Sequence, residues 1–326
     1  MRDKVDTFGI SMGQYKDIVK SLRAAYDSAE SCGIEDQAFS KSMQDIILAD
    51  YLGHEMDPSG QGADAWIPNT ERRFEYKCST GDDYIFHFGA NKGIEKNDEL
   101  IVKKFEGIEA AYLAQITWGE VVRVKRIEMS TLLPIIRNHF RNKLKGRQLK
   151  YGLTWKSAMK ISGAEVLNKS TGGRYRECIR NLQEAYKAAR RNPDLGPQLF
   201  GKGAHNHFLV AELLGHTVVT HGRGGDAFDE NGNYEYKVSM SDNFNFHFGA
   251  RKSNSENEQL LTTKISQLEG AYCITRHKSE IKEIFYMDSD FLLQFLIEHF
   301  RNTDGRQLIK NFKRAELYRL GLDIDF

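Results

Sequence analysis

Two periodicities alternate along this chain. Apolar residues recur at helical spacing at Ile18, Leu22 and Tyr26, and again at Met43, Ile46 and Ile47. This predicts two helices, the second over 40–51 and closed by Gly53. Period two then takes over. Strands are expected at 64–67 and 72–79, joined by a turn at Pro68-Asn69, and 84–89 alternates as a third strand. A charged helix over 98–109 follows, then a hairpin of 111–117 and 121–128. A last helix is capped by Ser130 and holds Pro134 in its first turn. On the third strand Tyr84, Phe86 and Phe88 share the expected core face, and His87 takes the other. A mixed sheet flanked by helices is the architecture that buries such faces.

The whole pattern occurs twice, about 160 residues apart. Leu52-Gly53-His54 is matched by Leu214-Gly215-His216, and His87-Phe88-Gly89-Ala90 by His247-Phe248-Gly249-Ala250. His139-Phe140-Arg141-Asn142 is matched by His299-Phe300-Arg301-Asn302, and Gly146-Arg147-Gln148-Leu149 by Gly305-Arg306-Gln307-Leu308. The opening helices correspond too, with Ile18, Leu22 and Tyr26 answered by Cys178, Leu182 and Tyr186. In the second copy the strand turn is Glu230-Asn231-Gly232-Asn233, a strong hairpin signal. A period this long in only two copies means duplicated domains and not a solenoid. The expected division is a domain at 1–153, a polar linker at 154–173 and a second domain at 174–326.

Composition narrows the class. Charged residues at 28% and hydrophobic ones at 40% describe a soluble globular chain with two cores. No apolar run reaches membrane-spanning length and the polar start is no secretory leader. The four scattered cysteines (Cys32, Cys78, Cys178, Cys273) form no disulfide framework, so a cytoplasmic location is expected. A net charge of +1 excludes a uniformly basic nucleic-acid binder and leaves local patches.

The chemistry sits where the copies agree. Gly62-Ala63-Asp64-Ala65 leads to Glu75-Tyr76-Lys77, and Gly224-Gly225-Asp226-Ala227 to Glu235-Tyr236-Lys237. Glu and Lys two apart on a strand point the same way, and an aspartate on the neighbouring strand completes an acidic cluster beside a lysine. Such a cluster can hold one or two Mg²⁺ ions and steer a water for phosphodiester hydrolysis. The metal ligands would be Asp64, Glu75 and the Tyr76 carbonyl, and Asp226, Glu235 and the Tyr236 carbonyl, with Lys77 and Lys237 positioning or deprotonating the water. Glu-x-Lys alone is a weak signal, as Glu280-Ile281-Lys282 illustrates, and a solvated strand face with an ion pair is the bland alternative. Two intact copies with one lead-in favour chemistry, although a structural motif could also be kept twice.

Secondary candidates surround these residues. Asp50 and Glu212 fall on the apolar stripe of the helix before each aspartate, as further metal ligands or as acids reaching water at the stripe's edge. His87, His247, Ser79 and Ser239 are open between cleft and packing roles, while His54, His216, His139 and His299 read as structural. For DNA contact the candidates are Arg141, Arg147, Arg223, Arg251, Arg301 and Arg306, set against the ordinary reading of solvated helix faces.

On Asp64, Glu75-Tyr76-Lys77, Asp226, Glu235-Tyr236-Lys237 and the helix acids Asp50 and Glu212, each half resembles the PD-(D/E)xK nuclease superfamily. The proline of that motif is replaced by Ala63 and Gly225. The resemblance implies two restriction-endonuclease-like α/β domains, each a mixed central β-sheet flanked by helices, paired as an intramolecular pseudodimer. It implies Mg²⁺-dependent endonuclease cleavage of double-stranded DNA, most similar to type II restriction endonucleases. Such a chain would be a monomer with internal pseudo-twofold symmetry, or a homodimer, and would be accompanied by a cognate DNA methyltransferase. A structure-selective or repair-type nuclease, and a non-catalytic DNA-binding protein of the same fold, are the alternatives.

Overall fold

The structure, a computed structural model, describes residues 15–57, 63–91, 93–142, 148–166, 173–192, 195, 204–219, 225–250, 253–303 and 307–324, with backbone alone at 37, 38, 40–42 and 142. The first half runs α1 (Lys16–Ser31), α2 (Asp36–Leu52), β1 (Glu55–Met56), β2 (Ala65–Trp66), β3 (Arg73–Ser79), β4 (Asp83–Ala90), α3 (Ile94–Lys104), β5 (Ile108–Thr117), β6 (Glu120–Glu128), α4 (Met129–Asn142), β7 (Gln148–Thr154), α5 (Trp155–Ala158) and β8 (Ala164–Glu165). The second repeats that order as α6 (Arg176–Ala189), α7 (His205–Leu214), β9 (Thr217–Val218), β10 (Ala227–Phe228), β11 (Asn233–Ser239), β12 (Asn243–Ala250), α8 (Asn254–Ile265), β13 (Gly270–His277), β14 (Glu280–Asp288), α9 (Ser289–Arg301), β15 (Gln307–Lys313), α10 (Arg314–Arg319) and β16 (Asp323–Ile324).

Two similar six-stranded mixed sheets result, β1-β2-β3-β5-β6-β8 and β9-β10-β11-β13-β14-β16. Among the described residues only the pairs β3–β5 and β11–β13 are parallel, with α3 or α8 as the crossover. The strand expected at 84–89 is not in the large sheet. As β4 it pairs antiparallel with β7, and β12 pairs with β15 in the same way. The buried side of β4, with Tyr84, Phe86 and Phe88, packs with Ile101 and Phe105, with Leu132, Ile136 and Phe140 on α4, and with Leu149, Tyr151 and Leu153 on β7. Phe244, Phe246, Leu261, Ile265, Leu296 and Phe312 build the equivalent core in the second half. Helices α2 and α7 end as expected at Gly53 and Gly215, both left-handed with φ of 72°.

Some boundaries differ from expectation for identifiable reasons. The helix placed at 98–109 is α3, which ends sooner because Gly107, at φ 72°, turns the chain into β5. Helix α4 starts at Met129, so Ser130 lies inside it and Pro134 falls beyond its first turn. The expected linker is partly structured, since α5 lies within it and β8 pairs with β6.

The compact units also divide elsewhere than at 153 and 174. One, the N-terminal unit, comprises Ala24–Arg191. The other, the C-terminal unit, takes the described residues up to Arg23 together with 204–324. Helix α6, which opens the second repeat, therefore packs with the first repeat's motif, and the start of α1 packs with the second's. Within the N-terminal unit the Tyr175 hydroxyl accepts the Met56 N–H at 2.9 Å. Within the C-terminal unit the Tyr15 hydroxyl accepts the Val218 N–H at 3.0 Å. Among the described residues no helix is long and apolar enough to cross a membrane. The four cysteines are free thiols.

Candidate active sites

Strand register assembles the first motif. Asp64 precedes β2, where its N–H donates to the Phe74 carbonyl at 2.9 Å and Ala65 pairs with Phe74 on β3. Its carboxylate therefore lies beside β3, and Oδ2 accepts the Tyr76 N–H at 2.5 Å. Alternation along β3 sends Phe74 and Tyr76 to one face, where they pack with His54 and Tyr112, and Glu75 and Lys77 to the other. Lys77 Nζ donates to Glu75 Oε1 at 2.5 Å and to the Tyr76 carbonyl at 2.7 Å. Lys104 on α3 brings a second ammonium to 3.7 Å from Glu75 Oε1. Glu75 is only 3% exposed, a depth at which a carboxylate requires such partners.

These positions set the charge states. Burial pushes the Asp64 carboxyl up to about 8, and the charges of Glu75 and Asp45 add to that rise against the pull of Lys77. Burial acts to lower the Lys77 ammonium, yet Glu75 and Asp64 hold it above its ordinary value. Lys77 is therefore a cation at neutral pH. It suits orienting a water or neutralising a phosphate oxygen, and of the two roles its sequence position allowed, removing a proton is the poorer fit.

The second motif repeats the arrangement in its own unit. The Asp226 N–H donates to the Tyr234 carbonyl at 2.7 Å, and Asp226 Oδ2 accepts the Tyr236 N–H at 2.8 Å. Lys237 Nζ donates to Glu235 Oε1. Gly225 stands before the aspartate for a steric reason: a Cβ there would lie 2.3 Å from the Tyr234 carbonyl oxygen. The Glu235 side chain is 28% exposed where that of Glu75 is 4%, so the second site is the more open. Beneath each motif a histidine locks the tyrosine, with 2.7 Å between His54 Nδ1 and the Tyr76 hydroxyl and the same between His216 Nδ1 and that of Tyr236. Burial, with Arg72 and Arg126, lowers His54 to about 4, as suits a neutral packing residue.

Other candidates fall differently. Asp50 Oδ1 accepts the Gly173 N–H at 3.2 Å, and Glu212 Oε2 accepts the Tyr15 N–H at 2.8 Å. Both acids thus hold the start of an opening helix, α6 or α1, where a carboxylate complements the helix dipole. The acid of α2 whose charge reaches the first motif is instead Asp45, felt at Asp64 and Lys77 and hydrogen-bonded to Cys78. Its counterpart is His207, with Nδ1 3.8 Å from Asp226 Oδ1. Asp45 and His207 precede their aspartates by the same interval, a signal hidden because the residues are not identical. Ser79 and Ser239 accept the N–H groups of Gly81 and Ser241, as turn residues do. Arg141 lies 3.8 Å from Asp98, and Arg301 Nε donates to Glu258 at 2.8 Å, so both tie their helix to the crossover helix before it. Arg147, Arg223, Arg251 and Arg306 lie outside the described residues.

Among the described residues no three His, Cys, Asp or Glu side chains form a group that could by itself hold a metal ion. Each site offers two carboxylates and one main-chain carbonyl. That donor set fits Mg²⁺, which takes one or two carboxylates and completes its shell with water and substrate phosphate. It does not fit a closed structural metal site. Comparison with known proteins adds no assignment: no family model matches the chain, and no curated protein matches it.

Proposed function

We propose that this protein is a Mg²⁺-dependent endonuclease acting on double-stranded DNA, with one phosphodiester-cleaving site in each half, in the manner of a type II restriction enzyme. The observation that carries the reading is the duplicated Asp64/Glu75/Lys77 and Asp226/Glu235/Lys237 geometry. In both copies the aspartate is clamped by the N–H between Glu and Lys, and the lysine is paired to the glutamate. A motif serving only a strand face has no need to hold Asp64 where burial, and then the neighbouring Glu75, raise its carboxyl.

Asp64, Glu75 and the Tyr76 carbonyl would hold the ion in the first site, and Asp226, Glu235 and the Tyr236 carbonyl in the second. Bound there, Mg²⁺ supplies Lewis acidity and a water of lowered pKa. The chain's own part is positional. The Tyr76 N–H fixes the Asp64 carboxylate, and its carbonyl keeps a lone pair beyond the one used by Lys77. The Lys77 ammonium can lie against a non-bridging phosphate oxygen or the attacking water, where a fixed cation stabilises developing negative charge. Lys104 adds positive charge at the same glutamate.

Incubating the protein with a mixed-sequence plasmid and Mg²⁺, then sequencing the ends, tests this directly. Ends at one recurring short sequence are the expected result. Cuts confined to branched DNA would favour the repair-type reading, and no Mg²⁺-dependent cleavage of any DNA would overturn the nuclease reading. A DNA methyltransferase protecting that same sequence is the partner expected of a restriction role.

A further inference from the structure

The two halves differ beside their motifs. In the first, Phe105 after α3 is buried and sets its ring edge-on against Phe86 (6.0 Å) and Phe88 (5.5 Å). In the second, the equivalent residue is Ile265, the last of α8. Without a third ring between them, Phe246 and Phe248 lie stacked, 6.4 Å apart at 16°, and Phe248 is only partly buried. In the second half a cleft of about 570 Å³ is lined by Phe246, Phe248 and Leu260 and bears Glu235, Lys237 and Lys264. That volume lies in the range of small-ligand pockets, about 300–1,000 Å³.

Its chemistry is specific. Lys264 Nζ donates to the Phe248 carbonyl at 3.0 Å, and Lys237 donates to Glu235. An ammonium has three donors, so both lysines keep hydrogen-bonding capacity for an anion. Two ammonium groups beside an aromatic and aliphatic wall complement a flat, weakly polar ring carrying a phosphate. Resting on the nuclease reading, we propose that this cleft takes one nucleotide unit, its phosphate between Lys237 and Lys264 and its base against Phe248 and Leu260. From duplex DNA such a base must leave the stack. The first half, with Phe105 in place of Ile265, accepts the backbone alone.

Two probes separate the sources of that nucleotide. Duplexes carrying 2-aminopurine, titrated without divalent metal, should brighten when the probe base enters the cleft, while anisotropy follows binding. Deoxyadenosine 5′-monophosphate, titrated alone by calorimetry, reports a free nucleotide. Ile265→Phe copies Phe105, and Leu260→Trp blocks the cleft from its partly buried wall. In either arm, blocking should abolish the signal or weaken it about tenfold, the size expected for loss of one base stack. A thermal melt matching the parent shows that the variant is folded. Brightening lost in both variants assigns the cleft to a flipped base, and a monophosphate signal lost in both assigns it to a free nucleotide. Duplex binding without brightening, together with no monophosphate signal, overturns the proposal, as does a signal that survives both variants. Failure of Mg²⁺-dependent cleavage would sink the nuclease reading and leave a blockable monophosphate signal standing.

Discussion

Asp64 shows how far one residue's environment carries the argument. Between the ordinary carboxylate range and about 8 the folded chain keeps a proton on Asp64 that the unfolded chain has lost. The metal-free protein should therefore lose stability as pH rises through that interval, and Asp64→Asn should flatten the slope in urea titrations at several pH values. A cation requires the ionised carboxylate, so Mg²⁺ should raise the melting temperature more near pH 8 than near pH 6. An equal rise at both would contradict the role given to Asp64. Asp45 and His207 make the two sites unequal. The carboxylates of the first site suit Mg²⁺, whereas an imidazole beside Asp226 favours a softer ion. With Lys77→Ala, which leaves the second site, the rate with Mn²⁺ relative to Mg²⁺ should exceed that of Lys237→Ala, and His207→Asp should remove the difference. Both triads were legible in the sequence because strand alternation fixes which side chains share a face. Asp45 was not legible: it lies off the apolar stripe of its helix, and Cys78, to which it hydrogen-bonds, belongs to a strand that only folding brings near.

At the scale of elements, local pattern and long-range pairing part company. The helix stops at Gly53 and Gly215, the strand after each aspartate and the central hairpins were all legible, since each rests on neighbours in sequence. The β4–β7 and β12–β15 pairs were not, because their partners lie beyond an intervening helix and hairpin. Nor was the exchange of opening helices. The repeat shows that α1 and α6 correspond but carries no mark of which motif each one packs upon. That exchange has a measurable anchor. Tyr175→Phe would leave the buried Met56 N–H without its acceptor, and Tyr15→Phe would do the same to Val218. Each should cost about 1–3 kcal/mol of stability by chemical denaturation. Losses near zero would show that the tyrosine hydroxyls do not hold the helices.

For the whole molecule, duplication is the organising fact. Two similar sheets, each with its own core and acidic motif, arise from one repeated pattern. The copies have diverged where chemistry would feel it, at Asp45 and His207 and at Phe105 and Ile265. On this account each site breaks one strand, and the lysines are the parts whose loss silences a site while leaving its carboxylates in place. The most direct measurement is strand mapping of supercoiled plasmid cut by Lys77→Ala and by Lys237→Ala. The prediction is a nicked circle from each variant, with the nicks on opposite strands at the same locus, and no cleavage from the double variant. Linear product from either single variant at the parent rate would contradict it.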